Sequence, residues 1–288
     1  MAPLISVLMG IYNCADTLPV AIDSILNQTV QDFELILCED GSSDDTYAVA
    51  ADYQRRYPDK IVLLKNEHNL GLNLTLNRCL AVAKGEFIAR MDGDDVCDPT
   101  RFEKELAVLR SRPDVAFVGT TMYLFDDNGI WGITRPLAEP KPKTFSRGNP
   151  FSHGSCMVRR SAYDAMGGYS EDPRVVRVED FHLWMRMYEA GMKGVNILEP
   201  LYALRSDFKA AGRRRMKARW NEAYVTWISI WRLKVPRWRL ILSLRPLILG
   251  LLPRRFYLML HKRKRALRPE EIRNCPSHPY QWNEPMAL

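Results

Sequence analysis

The sequence predicts an α/β fold in which helices flank a mostly parallel sheet, with a basic, amphipathic helical extension at the C-terminus. Two observations lead to this prediction. Short apolar segments alternate with amphipathic segments up to about residue 110, which is the pattern of strand–helix units. The charge also changes sign along the chain, because residues 1–204 carry 21 Lys/Arg and 29 Asp/Glu, whereas residues 205–268 carry 19 and 2.

The first half of the chain is predicted to contain four strand–helix units with short connections. Each strand is a short apolar run of the kind that is buried on both faces of a parallel sheet. Asp16 as a cap and Pro99 at a first helical position mark helix starts. The predicted strands cover residues 4–12, 33–38, 61–64 and 86–91, and the predicted helices begin at Thr17, run from Thr46 to about residue 57, cover 72–83, and run from Pro99 to about residue 110.

The second half of the chain is predicted to be less regular. We expect strands over 115–119 and 156–159, with a hairpin around Asp127-Asn128-Gly129. A helix should run from Glu179 through Glu189 and end at Gly191. Its apolar face would consist of Phe181, Trp184, Met185 and Tyr188.

Three carboxylates follow the fourth predicted strand within four residues, in Asp92-Gly93-Asp94-Asp95. Carboxylates this close repel one another unless a cation or hydrogen-bond donors compensate them, and their hard oxygens suit Mn²⁺ or Mg²⁺. The alternative is a solvated acidic turn that caps the next helix. Because ligands of open α/β sheets bind beyond the carboxyl ends of the strands, Asn13, Asp40 and Asp92 are predicted to surround one crevice.

Taken in order, these segments resemble the inverting family 2 glycosyltransferases of the GT-A fold, over about residues 4–208. Each segment alone is a weak signal, whereas seven in the same order are a specific one. The resemblance implies a nucleotide diphosphate sugar as donor, transfer with inversion, and Mn²⁺ or Mg²⁺ as cofactor. The matching segments are residues 6–13, 39–46, 69–72 with Leu76-Asn77, 87–95, Asn149-Pro150 with His153, 167–169 and 179–184.

The same resemblance implies that the donor binds at the strand ends. Asp94 would be the direct metal ligand, Asp92 would be shared between metal and ribose, and Asp95 would hold the loop. Asp40 matches the position that pairs with the nucleotide base, where an imide N–H favours uridine, although thymidine presents the same edge. Further donor contacts are implied for Tyr12, Asn13, Asn69, Gly71, Arg90, Gly93 and Arg205.

The resemblance assigns the acceptor side to the second half of the chain. Asp180 matches the family's general base, which removes the proton of the attacking hydroxyl, and the alternative for an Asp at a helix start is a cap. Glu179 would orient Asp180 or bind acceptor hydroxyls. His153 is open to a metal, acceptor or structural role, and Trp184 is a further candidate on the acceptor side.

One segment departs from the family pattern. Where the family often has Tyr-Arg-x-His, this chain has Leu204-Arg205-Ser206-Asp207. An Asp beside a diphosphate would be repelled unless a cation lies between them, so this departure bears on closure over the donor. The basic segment Gly212-Arg213-Arg214-Arg215 is a hypothetical replacement for the missing positive charge.

Residues 209–288 are predicted to form a second region after a transferase domain over 1–208. Within 220–265, tryptophans alternate with Arg/Lys and short aliphatic runs, which suits helices lying on an anionic membrane surface. The cluster His261-Lys262-Arg263-Lys264-Arg265 would add electrostatic attraction. The alternative is a helical subdomain packed on the acidic body. Nucleic acid is not expected as a partner, because long aliphatic runs serve no purpose on a phosphate backbone.

These observations predict a metal-dependent, hexosyltransferase-like enzyme that acts on a saccharide or lipid-linked saccharide in the synthesis of a cell-surface polysaccharide, such as O-antigen, capsule or exopolysaccharide. The alternatives are a polyprenyl-phosphate sugar synthase and a non-catalytic sugar- or lipid-binding protein with the same fold. The N-terminus lacks a signal-peptide pattern, the six cysteines are scattered, and no apolar run reaches the length of about 20 residues that a membrane span needs. The expected location is the cytoplasm, peripheral on the inner face of the cell membrane.

Overall fold

The computed structural model describes residues 2–206, 216–273 and 275–283, and it begins with the predicted alternation of strands and helices. Every element predicted for the first half is present, with bounds that differ by one or two residues. In chain order these elements are β1 (Ile5–Ile11), α1 (Leu18–Leu26), β2 (Phe33–Glu39), α2 (Thr46–Arg56), β3 (Ile61–Lys65), α3 (Leu72–Val82), β4 (Phe87–Arg90), β5 (Val96–Cys97) and α4 (Arg101–Ser111), of which only the short β5 was not predicted.

The second half contains more secondary structure than the sequence predicts. The strand expected over 115–119 continues to Asp126, because Gly119 marks a close approach rather than an end: a Cβ there would lie 2.7 Å from Asn196 Oδ1. The last strand was missed because Glu199 and Pro200 interrupt its apolar pattern. The elements are β6 (Val115–Asp126), β7 (Gly129–Ile133), β8 (Met157–Arg159), α5 (Arg160–Met166), α6 (Glu179–Glu189) and β9 (Lys193–Arg205), with 3₁₀ segments at Pro142–Arg147, His153–Ser155 and Pro173–Val175.

The C-terminal extension is helical, as predicted. Among the described residues, no helix combines the length and the apolar character needed to cross a membrane. The extension consists of α7 (Met216–Arg232), a 3₁₀ segment (Arg237–Leu244), α8 (Arg245–Leu251), α9 (Arg254–Arg265), α10 (Pro269–Ile272) and a final 3₁₀ segment (Pro279–Asn283).

The strands of the described residues form one sheet in the order β3-β2-β1-β4-β8-β6-β9-β5, with β7 paired to β6. β1 pairs in parallel with β2 and β4, and β2 pairs in parallel with β3. β6 and β9 are also parallel, whereas β8 runs antiparallel to both β4 and β6. The sheet is therefore parallel through its first four strands and mixed beyond them. Because parallel strands end at the same edge, the loops after β1 to β4 meet there.

Helices cover both faces of the sheet. Alternate residues of β1 enter different hydrophobic clusters, since successive side chains of a strand point to opposite faces. Val7 and Met9 pack in a cluster with α1, α2 and α4, whereas Leu8 packs in a cluster with α3, α5 and α6. Val225 and Ile228 of α7 belong to this second cluster, so the first helix of the extension packs on the body.

Trp184 fixes α6 on the sheet. Its fully buried ring stacks on Phe117 of β6 at a centroid distance of 4.5 Å and meets Phe151 edge-on at 6.1 Å. This packing positions the first turn of α6, which carries Glu179 and Asp180. The ring has no exposed surface for a ligand, so the suggested acceptor-side role of Trp184 is replaced by a structural one.

We expect Trp184→Ala to lower the free energy of unfolding by about 3–5 kcal/mol, because truncation of a buried aromatic side chain leaves a cavity. Urea unfolding followed by circular dichroism measures this loss. Trp238→Ala is the matched control, because Trp238 is 69% exposed and its truncation should change stability by less than about 0.5 kcal/mol. Equal losses in the two variants would contradict the packing described for α6.

Candidate functional site

The loops at the carboxyl edge of the sheet border a cavity of about 1560 Å³. This volume exceeds the roughly 300–1,000 Å³ of pockets that hold one small ligand, so the cavity has room for more than one. Its remaining wall comes from the segment between Arg147 and His153, from the start of α6 with the residues just before it, and from helices α7 to α9. Among the residues predicted for the site, those that line the cavity are Tyr12, Asp40, Asn69, Gly71, His153, Glu179 and Asp180.

The loops after β1 and β2 are tied together by side chains. Asn13 adopts a positive φ of 48°, and its Oδ1 accepts a hydrogen bond of 2.9 Å from the backbone N–H of Ser43. The backbone N–H of Asn13 donates to Ser42 Oγ at 3.1 Å, and that of Ala15 donates to Asp44 Oδ2 at 3.1 Å. Asn13 therefore shapes the loops that carry Tyr12 to the cavity wall.

Asp40 organises the loop after β3. Its Oδ1 accepts from Asn66 Nδ2 at 2.7 Å and from the Leu70 N–H at 2.8 Å, and its Oδ2 accepts from the Gly71 N–H at 3.0 Å. Gly41 lets the two loops touch, because a Cβ there would lie 2.7 Å from the Asn69 nitrogen. The buried carboxylate thus presents Asn69 and Gly71 to the cavity. Its pairing with a nucleotide base stays a prediction.

Asp92 and Asp95 are compensated by different partners. The carboxylate of Asp92 accepts from the guanidinium of Arg90, which is buried beneath it. Asp95 is buried, and it accepts from the Tyr202 hydroxyl at 2.7 Å and from the Arg205 N–H at 2.7 Å. Asp95 therefore holds the loop against β9, which is the role that the sequence suggests for it.

Gly93 permits the acidic turn to lie against the first loop of the chain. A Cβ on Gly93 would lie 2.9 Å from Cys14 Sγ and 3.2 Å from Ile11 Cγ2. The carbonyl of Gly93 also accepts from the Thr17 hydroxyl at 3.0 Å. Gly93 acts here through close packing, and its contact with a donor stays a prediction.

Asp94 is the most exposed carboxylate of this turn, and Asp92 keeps 31% of its side-chain surface in solvent. Protein atoms nevertheless surround much of the Asp94 carboxylate. This partial desolvation, together with the negative charge of Asp92, raises the pKa of Asp94 to about 6. Among the described residues, no three His, Cys, Asp or Glu side chains converge as potential metal ligands. Two carboxylates are, however, the usual protein share for a Mg²⁺ that takes its other ligands from substrate phosphates and water. Asp92 and Asp94 fit a hard divalent ion of that kind.

Asp92 lies next to the cavity, although neither Asp92 nor Asp94 is part of its wall. A Cβ on Gly154 would lie 3.1 Å from Asp92 Oδ2, and Gly154 directly follows His153 of the cavity wall. The acidic turn is therefore adjacent to the cavity at the 153–154 segment.

Asp180 lies in the first turn of α6 with both carboxylate oxygens engaged. Its Oδ1 accepts from the Phe181 N–H at 2.7 Å, and its Oδ2 accepts from Asn149 Nδ2 at 2.7 Å. The first contact satisfies a backbone N–H in the first turn of α6, whose N-cap residue is Val178, whereas the second fixes the carboxylate at the cavity wall. Glu179 is nearly buried beside it, and desolvation raises the pKa of Glu179 above its ordinary value.

His153 is held in a chain of side chains. Its Nε2 lies 2.7 Å from the Tyr169 hydroxyl, which lies 2.7 Å from the Tyr163 hydroxyl. Burial and the positive charge of Arg90 lower the pKa of His153 well below its ordinary value, so the imidazole is neutral at neutral pH. Of the three roles that the sequence leaves open, these contacts match the structural one.

Among the predicted donor contacts, Arg205 is the residue whose observed partners agree least with its suggested role, which is contact with the diphosphate. Its guanidinium pairs with Asp127 of the β6–β7 turn and donates to the Tyr280 hydroxyl at 3.3 Å. Contact with a diphosphate would require Arg205 to leave Asp127. The neighbouring Asp207 and the basic segment 212–215 lie outside the described residues.

Sequence reasoning missed several residues of the site. No motif points to Tyr202, whose hydroxyl accepts from the Asp92 N–H at 3.2 Å besides bonding Asp95. The sequence assigns the positive charge of the extension to a membrane surface or to packing on the acidic body, and it does not place that charge at the site. Five of the extension's cations line the cavity, namely Lys217, Arg219, Arg245, Lys264 and Arg265.

Two protein-family models match this chain. The model described as glycosyl transferase family 2 matches residues 6–167, which is more than half of the chain. The model described as glycosyl transferase family group 2 matches residues 87–263.

The chain is also similar to named proteins over most of their length. EpsE of Bacillus subtilis (strain 168) is 40% identical over 269 residues, which cover 93% of this chain and 96% of that protein. The amylovoran biosynthesis glycosyltransferase AmsE of Erwinia amylovora is 32% identical over 238 residues, covering 81% and 86%. WfaP of Escherichia coli, named a UDP-Glc:alpha-D-GlcNAc-diphosphoundecaprenol beta-1,3-glucosyltransferase, is 25% identical over 212 residues, covering 73% and 81%.

Solved structures with the same fold include two nucleotide-sugar complexes. S. aureus TarS 1–349 in complex with UDP-GlcNAc superposes with a TM-score of 0.60 at 15% identity, covering 86% of this chain and 80% of that chain. The mannosyltransferase PcManGT from Pyrobaculum calidifontis, in complex with GDP-Man and Mn²⁺, gives a TM-score of 0.61 at 17% identity, covering 98% and 85%. At these identities the likeness concerns the fold, and it confirms the fold class that the sequence predicts.

We expect Asp40→Asn to loosen the loop after β3, because an amide in place of the carboxylate cannot accept from both the Leu70 and Gly71 N–H groups while accepting from Asn66. Loss of one such bond to a charged group corresponds to about 1.5–3 kcal/mol. Hydrogen exchange at the Leu70 and Gly71 amides should therefore accelerate about tenfold or more, as measured by NMR or mass spectrometry.

The control for this variant is Asp45→Asn, because Asp45 is exposed and makes no side-chain capping bond to α2. It should leave exchange at both amides unchanged. Unchanged protection in Asp40→Asn would show that the loop does not depend on the carboxylate.

Proposed function

The chain belongs to glycosyl transferase family 2, and we propose that it transfers a sugar from a nucleotide diphosphate sugar to an acceptor hydroxyl with inversion at the anomeric carbon. One observation carries this proposal: a single cavity is lined both by the loops at the carboxyl ends of β1 to β3 and by Asp180 on α6. A donor at the strand ends and an acceptor at Asp180 would share that space.

The donor is proposed to be a UDP-sugar. Asp40 supports this choice, because a carboxylate at the end of β2 accepts well from the imide N–H of a uracil ring. The two similar proteins WfaP and TarS carry uridine nucleotides in their name or title, whereas PcManGT carries GDP-Man. Tyr12, Asn69 and Gly71 would form the walls of the nucleotide site.

Asp94 and Asp92 are proposed to hold Mn²⁺ or Mg²⁺ next to this site. Bound there, the ion would act as a Lewis acid that neutralises the charge of the departing diphosphate. The hydrogen bond from Arg90 Nη2 would keep Asp92 in place, and the solvent-exposed Asp94 would provide the more accessible oxygens.

Asp180 is proposed as the general base. Its carboxylate would accept the proton of the acceptor hydroxyl as that oxygen attacks the anomeric carbon, and Asn149 would hold it in position. A single displacement of this kind inverts configuration and needs no carboxylate nucleophile. A hydroxyl acceptor has a proton to lose, whereas an ionised phosphate acceptor has none. Asp180 in the cavity therefore favours a hydroxyl acceptor over the alternative of a polyprenyl-phosphate sugar synthase.

We further propose that the reaction belongs to polysaccharide biosynthesis at the inner face of the membrane. AmsE supports the first part by its name. The second part is supported by the outer side of the extension, which combines exposed apolar side chains with Lys and Arg, as interfacial helices do. Those apolar side chains are Trp220, Trp227, Trp231, Trp238, Ile241, Leu244, Ile248, Leu251, Phe256 and Met259.

We expect purified protein to release nucleoside diphosphate from one of a panel of nucleotide sugars when Mn²⁺ and a lipid-diphosphate-linked monosaccharide are present. Asp180→Asn should reduce this rate by about 100-fold or more, because an amide cannot accept the hydroxyl proton. Donor affinity should stay within about twofold, since Asp180 does not contact the donor in this proposal. EDTA should stop the reaction, and added Mn²⁺ should restore it.

Glu171→Gln is the matched control, because Glu171 is exposed and lies outside the cavity wall. Its rate should equal that of the parent. A parent-like rate in Asp180→Asn would remove the base assignment, and the absence of release from every nucleotide sugar would remove the proposed function. Proton NMR of the product gives the anomeric configuration and tests inversion separately.

We expect the double variant Ile241→Ser, Leu251→Ser to bind phosphatidylglycerol-containing vesicles at least about tenfold more weakly than the parent. Complete burial of each aliphatic side chain contributes about 1.5–3 kcal/mol, so even partial immersion of the two residues is enough to account for a tenfold loss of binding when both are replaced. The control double variant Leu137→Ser, Leu198→Ser removes equally exposed residues of the body. If both double variants co-sediment with the vesicles as the parent does, the proposed contact of the extension with a membrane surface is wrong.

A further inference from the structure

The C-terminal extension turns a set of cations towards the cavity. Between residues 216 and 265, the cavity wall includes five Lys/Arg side chains and one carboxylate, that of Glu222. This wall is strongly positive, whereas the strand-end part of the same cavity carries Asp40 and the α6 part carries Glu179 and Asp180. The five cations are Lys217, Arg219, Arg245, Lys264 and Arg265.

Only part of this positive charge is compensated by the protein. Arg219 lies 3.6 Å from Glu222 and over the ring of Tyr257 at 4.8 Å. Arg245 donates to the carbonyl of Arg147 at 3.0 Å. Across residues 2–206, 216–273 and 275–283, no carboxylate pairs with Arg245, Lys264 or Arg265. These three side chains are called the cation cluster below.

The members of the cation cluster are close enough to act on one another. Burial, with the positive charges of Arg245 and Arg265, lowers the pKa of Lys264. Burial and the charges of Arg265, Lys264 and Arg219 lower the pKa of His261 to about 4. Arg245 and Lys264 are exposed and Arg265 is half-buried, so an anion can reach all three side chains and would relieve the repulsion between them. The cluster therefore has the electrostatics of a site for a multiply charged anion.

Apolar side chains adjoin the cation cluster. Leu249 of α8 and Leu260 of α9 line the same cavity, and Leu260 is itself half exposed. On α8, Ile248 and Leu251 are exposed to solvent at 60% and 78%. An apolar path thus leads from the cluster to the outer side of the extension. A ligand with an anionic head and a hydrocarbon chain would fit both parts.

We propose that the cation cluster binds the diphosphate of a lipid-linked acceptor, with the lipid chain leaving over the apolar residues of α8 and α9. This inference rests on the proposed function and names the chemical class of its acceptor. Arg245 and Lys264 would each donate to phosphate oxygens, and Arg265 offers a planar pair of donors. The first sugar of such an acceptor, joined to the diphosphate, would extend into the cavity that Asp180 lines.

The other source of a diphosphate is the nucleotide sugar itself. Its diphosphate is assigned to the ion at Asp92 and Asp94, which belong to the turn after β4 rather than to α8 or α9. A nucleotide also has no hydrocarbon chain to use Leu249 and Leu260. The two diphosphates can be told apart, because binding of the nucleotide diphosphate needs the divalent ion, whereas binding of the lipid diphosphate does not.

The test uses the full chain and three probes: farnesyl diphosphate, inorganic pyrophosphate and UDP. Calorimetric titration with farnesyl diphosphate is done in EDTA, so that the acidic turn cannot bind diphosphate through a metal. The double variant Arg245→Gln, Lys264→Gln should weaken this binding by about tenfold or more, since it removes two charge-assisted contacts. UDP affinity in Mn²⁺ should stay within about twofold. Inorganic pyrophosphate should bind more weakly than farnesyl diphosphate.

The control double variant is Arg255→Gln, Arg263→Gln. Both residues are exposed on α9, neither lines the cavity, and the change in net charge is the same. It should bind farnesyl diphosphate like the parent. If farnesyl diphosphate binding is weakened equally in the two double variants, the effect comes from the loss of net charge and not from the cation cluster, and the proposal is overturned.

Two further outcomes would also overturn it. A loss of UDP affinity in Arg245→Gln, Lys264→Gln, with farnesyl diphosphate unaffected, would assign the cluster to the donor. Equal affinities of the parent for pyrophosphate and farnesyl diphosphate would remove the lipid from the proposal. Failure of the proposed function would give a different result, because in that case the parent itself would release no nucleoside diphosphate from any nucleotide sugar.

Discussion

The buried guanidinium of Arg90 is the charge on which the arrangement of the site depends. It lies 2% exposed at the end of β4, where it donates to the Leu8 carbonyl at 3.2 Å and to the carboxylate of Asp92. An ion of this kind is stable in the interior only when it is paired, and its partner is held in turn. Arg90 thereby keeps Asp92 at the sheet edge, and its positive charge adds to the burial that lowers the pKa of His153. The acidic turn and the cavity wall are coupled through this one side chain.

The sequence contains the information for most of this edge because the relevant signals are local. Apolar runs of the length of β1, β2 and β4 specify buried parallel strands, and the residue that follows each strand must then lie at the same edge. Asp40 and the turn from Asp92 to Asp95 could be placed for this reason. The supporting role of Asp95 came only from the family resemblance, because the repulsion among three close carboxylates does not indicate which of them the protein compensates.

The remaining features depend on contacts between distant parts of the chain. Arg205 pairs with Asp127 only because β9 lies beside β6. The sequence does not predict β9, because Glu199 and Pro200 interrupt its apolar pattern. Trp184 sits at a helix position that predicts burial, yet its partner Phe117 belongs to another strand. For the extension as a whole, the sequence predicts contact with a membrane surface or packing on the acidic body, without separating inward-facing from outward-facing cations. Which cations line the cavity depends on how α7 packs on the body and how α8 packs on α7, and no periodicity in the extension alone can specify this.

The chemistry proposed here has two diphosphates to neutralise, and one set of charges cannot serve both. A diphosphate that leaves during the reaction is best met by an ion that carboxylates hold, because the ion accommodates the charge that develops on the leaving group. A diphosphate that only anchors the acceptor needs fixed cations, which hold it before and after transfer. The chain separates these tasks between an acidic turn on the sheet and basic helices in the extension. Asp180 lines the cavity that both elements border, which is where a hydroxyl between the two anchored substrates would have to lose its proton.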